Sequence, residues 1–182
     1  MNELTLKNDQ ICKIIEGIPA DAQQLLDLSK AVIGENDFQV TTPEEFNLNL
    51  EQEEQWVEKL NSCSNSLLLV AKVNDEIVGL LDFHGRTNRR KIAHVGSFGM
   101  SVKKEYRGQG IGSALLNTII QWGKEHPQIE KIGLAVLSNN ENAITVYKRL
   151  GFIEEGRRIN EIKLSDNEYL DDILMYINVK NA

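Results

Sequence analysis

The sequence predicts a mixed α/β fold, and three observations carry that prediction. Two apolar runs, Ser66 to Val73 and Glu76 to Phe83, flank Asn74-Asp75, a residue pair suited to a tight hairpin. A strand-like run then ends in a turn holding Gly108, Gly110 and Gly112, and a helical pattern begins. A second strand and helix follow, so hairpins give way to strand–helix units on one sheet.

The elements read in order as follows. Gln10 to Ile18 is a strand, and Pro19 opens an amphipathic helix with apolar positions at Ala22, Leu25, Leu26, Val32 and Ile33. Gly34 is its stop. Thr42-Pro43-Glu44-Glu45 has the form of a helix start, with Thr42 as cap, Pro43 at the first helical position and Glu45 reaching back. An acidic helix bearing Trp56 spans Leu50 to Leu60. After the hairpin, Arg86, Arg89, Arg90 and Lys91 fall in a polar loop, and Ala93 to Val102 is the next strand. Gly110 to Lys124 is a helix with Ile111, Leu115, Ile119 and Trp122 on one side. Lys131 to Leu137 is a strand, Asn140 to Leu150 a helix, and the tail holds two strands around Ser165-Asp166-Asn167.

The 182 residues, without repeats or linkers, suit a single domain over 1–182. A net charge of -7 argues against a nucleic-acid partner, which needs a basic surface to displace counterions from phosphates. Acidity suits cationic partners such as amines, and it also simply keeps a surface soluble. Cys12 and Cys63 are isolated, the first residues lack the pattern of a secretory leader, and no apolar window is long enough to span a membrane. A cytoplasmic location is the expectation.

The stretch from Met100 to Ser113 carries chemistry. Glycines let backbone N–H groups approach a ligand, and a helix N-terminus adds donors, which suits a pyrophosphate. A P-loop would need Gly-Lys-Ser/Thr where Gly110-Ile111-Gly112 stands. A dinucleotide fingerprint would need a third glycine at Ser113 and an acid closing the next strand, which ends instead at Leu137-Ser138. What remains is Arg-x-x-Gly-x-Gly at Arg107, Gly110 and Gly112. Downstream, Asn140, Ala143, Tyr147, Gly151 and Phe152 follow the pattern Asn-x-x-Ala-x-x-x-Tyr-x-x-x-Gly-Phe. Asn140, Ala143 and Tyr147 share one helical face, and Gly151 sits where a left-handed cap is wanted.

Together these motifs resemble the coenzyme A motifs of the GNAT superfamily of N-acetyltransferases, over roughly residues 66 to 178. The resemblance implies a mostly antiparallel sheet of six to seven strands, about four helices, and a splayed strand pair that holds acetyl-CoA as co-substrate, without a metal. It implies that backbone groups of Met100, Ser101 and Val102 bind the pantetheine arm and that Asn140 bonds the same region. The loop of Arg107, Gly108, Gln109, Gly110, Ile111, Gly112 and Ser113 would hold the diphosphate, with Arg107 adding charge if its side chain turns inward. Tyr147 would be the catalytic acid that protonates the leaving thiolate while a neutral amine attacks the thioester directly.

The base stays open. The carboxylates used by the ribosomal-protein and histone branches fall at Ala135 and Gly96 in this chain. His94, His84, Glu54 and an ordered water chain remain as candidates. The acceptor implied is a small-molecule amine or a peptide N-terminus, and a homodimer through the tail strands is the assembly such members often form. A module that binds acetyl-CoA without turnover is the alternative.

Overall fold

The computed structural model describes residues 2–35, 38–86 and 89–180. The strands are β1 (Asn2–Thr5), β2 (Ile11–Glu16), β3 (Ser66–Val73), β4 (Glu76–Gly85), β5 (Val95–Val102), β6 (Lys131–Leu137), β7 (Ile153–Ser165) and β8 (Glu168–Asn178). The helices are α1 (Ala22–Gly34), α2 (Leu50–Ser62), α3 (Ile111–Glu125) and α4 (Glu141–Arg149). The strands form one sheet in the order β1-β2-β3-β4-β5-β6-β8-β7. Every neighbouring pair is antiparallel except β5–β6, which is parallel.

Eight strands therefore replace the expected six to seven. The addition at the start is β1, whose four residues are too short for a periodic pattern to register; it pairs with β2 from Asn2↔Ile14 to Thr5↔Ile11. A second correction concerns Thr42. Its N–H does donate to Glu45 Oε2 at 2.9 Å, as a capping box requires, but the chain makes one turn over residues 43–45 and no helix. The α2 cap is Asn49, whose Oδ1 accepts from Gln52 N–H at 2.9 Å while Gln52 Oε1 accepts from Asn49 N–H at 3.0 Å. Pro19 opens a single 3-10 turn, Pro19–Asp21, that leads into α1.

Side-chain alternation divides the core. Leu67, Leu69, Ala71 and Val73 of β3 face α3 and α4, together with Leu81, Phe83, Ile111, Leu115, Ile119 and Tyr147. Leu68 and Val70 point the other way and pack with Leu25, Leu28, Val57, Leu60 and Leu80 beneath α1 and α2. The register slips between Ala71 and Lys72 of β3, where Lys72 pairs with Ile77 and Ala71 with Gly79. Val78 is the extra residue, and it sets the facing of the rest of β4: Leu81 and Phe83 toward α3, Leu80, Asp82 and His84 toward α1 and α2.

Candidate active site

The parallel pair β5–β6 is incomplete. Its ladder covers Val95↔Lys131, Gly96↔Ile132 and Ser97↔Gly133 and then stops. Beyond it, β5 stays paired to β4 as far as Val102↔Gly79, and β6 stays paired to β8 as far as Leu137↔Asp172. The two strands thus diverge into a wedge, as expected of the splayed pair. Strand edges whose N–H and C=O groups lack a ladder partner suit an extended ligand laid in as an added strand. Met100, Ser101 and Val102 lie along that edge.

The glycine loop follows directly. Gly108 and Gly110 have φ of 71° and 93°, the left-handed region that glycine enters without a Cβ penalty. Gly110 caps α3 with no side-chain partner for the first-turn N–H groups, so Ile111, Gly112 and Ser113 present bare donors at the N-terminus of a 15-residue helix. The side chains have other work. Ile111 is buried in the core, Gln109 donates to Glu105 O at 3.3 Å, and Ser113 Oγ accepts from Arg149 of α4 at 2.9 Å. Arg107 turns away from the loop: its Nε donates to Val102 O at 2.9 Å and its Nη1 pairs with Glu35 Oε2 at 2.6 Å. Its inward turn, a condition of the sequence expectation, is not the arrangement seen.

Across the wedge stands α4. Asn140 caps it, with Oδ1 accepting from Ala143 N–H at 3.2 Å. At the other end Phe152 N–H donates to Tyr147 O at 3.1 Å and Gly151 N–H to Lys148 O at 3.1 Å, with Gly151 at φ 93°. This paired closure ends α4 just after Tyr147, and the Phe152 ring meets the Tyr147 ring edge-on at 5.8 Å. Phe98 of β5 completes the cluster at 6.1 Å from Tyr147. Burial pushes the Tyr147 phenol up to about 12. None of the side-chain hydrogen bonds among the described residues uses its hydroxyl, yet no fully buried side-chain polar atom among them lacks a partner, so the hydroxyl keeps an opening to solvent.

On the opposite face α1, the loop before α2, α2, β4 and β5 line a chamber of about 270 Å³ that is open to solvent on one side. Two carboxylates line it, Glu53 of α2 and Asp82 of β4, with Trp56, Phe46, Leu80 and Ser101. Glu53 is 4% exposed, and burial followed by the neighbouring Asp82 charge raises its carboxyl above the ordinary range. Asp82 Oδ2 lies 2.8 Å from His84 Nε2; this bond is the main reason why the imidazole is raised. Gly99 stands opposite Asp82 in the ladder, and a Cβ there would lie 3.0 Å from Asp82 Oδ1, so the carboxylate would have to shift by a few tenths of an ångström to admit it.

These positions sort the candidate bases. Glu54 is exposed on the outer side of α2, and the buried carboxylate is its neighbour Glu53. His94 precedes β5 at its paired end, with its carbonyl accepting from Glu130 and Lys131 N–H, well away from the wedge. His84 reaches the chamber only through Asp82. The overlooked signals were a carboxylate in phase with Val57 and Leu60 on the buried stripe of α2, and Asp82 interrupting the apolar run of β4. No cluster of three or more metal-ligating side chains occurs among the described residues.

Residues 35–152 match the model of the acetyltransferase (GNAT) family. The L-amino acid N-acetyltransferase of Escherichia coli is 32% identical over 120 residues, which are 66% of this chain and 73% of that protein. A GNAT-family acetyltransferase of Streptococcus pneumoniae superposes with a TM-score of 0.87 at 27% identity, covering 92% of this chain and 99% of the other. A phosphinothricin acetyltransferase of Sinorhizobium meliloti, solved with acetyl-CoA, shares the fold at a TM-score of 0.78 and 17% identity, covering 92% of this chain and 88% of its own.

Proposed function

The chain belongs to the GNAT family of N-acetyltransferases, and from that premise we propose that it moves the acetyl group of acetyl-CoA to a primary amine by direct attack in a ternary complex. The observation that carries this reading is the wedge: the β5–β6 ladder ends at Ser97↔Gly133, and β5 then runs unpaired on that side to the glycine loop and a helix N-terminus with bare donors. Acetyl-CoA supplies an activated thioester. Backbone groups of Met100, Ser101 and Val102 hold its pantetheine arm, and the amides from Gly108 to Ser113 hold its diphosphate. Asn140 spends its Oδ1 on the α4 cap and contributes through its amide NH2.

Positioning supplies much of the rate, because two reactants held in line no longer meet by diffusion. The amine nitrogen bonds to the acyl carbon, the carbon–sulfur bond breaks, and Tyr147 gives the sulfur its proton. The acceptor is a small-molecule amine or a peptide N-terminus. The edge strand β7 leaves Ile153, Ile159 and Leu164 exposed, which supports a homodimer through the β7–β8 hairpin.

Titration calorimetry with acetyl-CoA, coenzyme A, ATP and NAD tests the reading, alongside thiol release over a panel of amines. Coenzyme A and its acetyl ester are expected to bind, and ATP and NAD are not. Preference for ATP or NAD would overturn it, and binding of acetyl-CoA with no acceptor in any class would make the protein a coenzyme-sensing module.

A further inference from the structure

Resting on the acetyltransferase reading, we propose that the chamber selects a small primary amine with an apolar body and no carboxylate beside the amine, held as an ammonium by Glu53 and Asp82, with Glu53 taking its proton. Glu53 carries the case. It is 4% exposed, lines the chamber, and has no hydrogen-bond or ion-pair partner among the described residues. No fully buried side-chain polar atom among the described residues lacks a partner, so the Glu53 oxygens open into the chamber, where a cation or donor can meet them. The described residues of the lining include no lysine, arginine or histidine. An α-carboxylate entering beside the amine would meet two like charges, with no cation in the described lining and the His84 imidazole already engaged by Asp82.

The remaining walls fix the rest of the ligand. Trp56, Phe46 and Leu80 offer apolar contact, and an aromatic face also attracts an ammonium. A volume of about 270 Å³ admits a small molecule. The titratable groups facing Glu53 are Asp82 and, behind it, His84, on which Lys59 also acts; α1 and β5 present to the chamber only Ser29 and Ser101.

The proton inventory closes. The ammonium gives one proton to the Glu53 carboxylate, and its freed lone pair makes the new carbon–nitrogen bond. A second proton leaves that nitrogen for solvent as the amide forms, and solvent reloads Tyr147, which has given its own proton to sulfur. Glu53 then returns its proton to solvent through the open side of the chamber.

Phenethylamine, phenylalanine amide and phenylalanine share one body and differ beside the nitrogen, so thiol release at saturating acetyl-CoA separates them. The first two are expected to exceed phenylalanine in kcat/KM by about tenfold or more. Glu53→Gln is expected to lower kcat/KM for phenethylamine by about 100-fold at pH 7 and to flatten the acid limb of its pH profile, with the Kd of acetyl-CoA unchanged. Removing a buried charge does not threaten folding, and Asp82→Asn should act in the same direction. Phenylalanine equal to or better than phenethylamine, an unaltered acid limb in Glu53→Gln, or no turnover of any of the three amines while acetyl-CoA binds would each overturn the proposal and leave the acetyltransferase reading standing. Failure to bind acetyl-CoA would remove both.

Discussion

Each face of the sheet buries a titratable group that the proposed reaction uses, and the same cause acts on both. On the α3–α4 face burial pushes the Tyr147 phenol up to about 12; on the α1–α2 face burial, with Asp82 beside it, raises the Glu53 carboxyl. Desolvation penalises the charged form of either group. Its chemical consequence differs. The phenol keeps its proton at every working pH and so is always loaded, whereas the carboxylate becomes a stronger proton acceptor. The wedge between β5 and β6 runs from one face to the other, so a thioester held there would have a proton donor on one side and a proton acceptor on the other.

Tyr147→Phe breaks this division most directly. The ring stays to pack on Phe98 and Phe152, and only the hydroxyl goes. We expect kcat to fall by about 100-fold or more while the Kd of acetyl-CoA holds. If kcat is unchanged, all proton handling belongs to the chamber face and to solvent. The same variant has a stability signature. A phenol near 12 when folded and about 10 when unfolded binds its proton more tightly in the native state, so stability falls as pH rises above about 10. Tyr147→Phe should lose that alkaline decline, as thermal melts between pH 8 and 11 would show.

The two faces also differ in how plainly the chain announces them. The α3–α4 face rests on backbone conformations that few residues tolerate: left-handed φ at Gly108, Gly110 and Gly151, and a capping side chain at Asn140. Such demands leave fixed spacings in the sequence, and the wedge residues were legible there. The chamber draws one side chain each from α1 and β5, two each from the loop before α2 and from β4, and three from α2. Each has an ordinary local pattern, and Glu53 and Asp82 meet only through the tertiary fold. Hence the sequence leaves the base open among His94, His84, Glu54 and water, and neither Glu53 nor Asp82 is among those candidates. β1 is too short to leave a periodic pattern, and the Thr42 turn reads as a helix start because a capping box closes one turn as readily as it starts many. Gly151→Ala measures the first kind of demand: a Cβ at φ 93° should cost about 1–2 kcal/mol in chemical denaturation. A cost near zero would mean that the α4 closure is pliable and that Tyr147 is placed by packing with Phe98 instead.

Arg107 joins the two faces and gives the smallest expected effect. Its guanidinium ties the glycine loop to Val102 O and to Glu35, just past the end of α1, so the charge expected on the diphosphate is spent on holding the wedge to the chamber side. An ion pair with its arginine about one-third exposed contributes little, and Arg107→Ala should cost less than about 1 kcal/mol of stability. If backbone amides alone hold the diphosphate, the Kd of acetyl-CoA should rise by no more than about threefold, with little dependence on salt. A direct guanidinium–phosphate contact is worth about 1.5–3 kcal/mol, so its loss would raise Kd by tenfold or more and weaken the salt dependence of binding. That outcome would mean that the arginine exchanges Glu35 for the coenzyme on binding. Glu35→Gln would then tighten acetyl-CoA, because it releases the side chain from its competing partner.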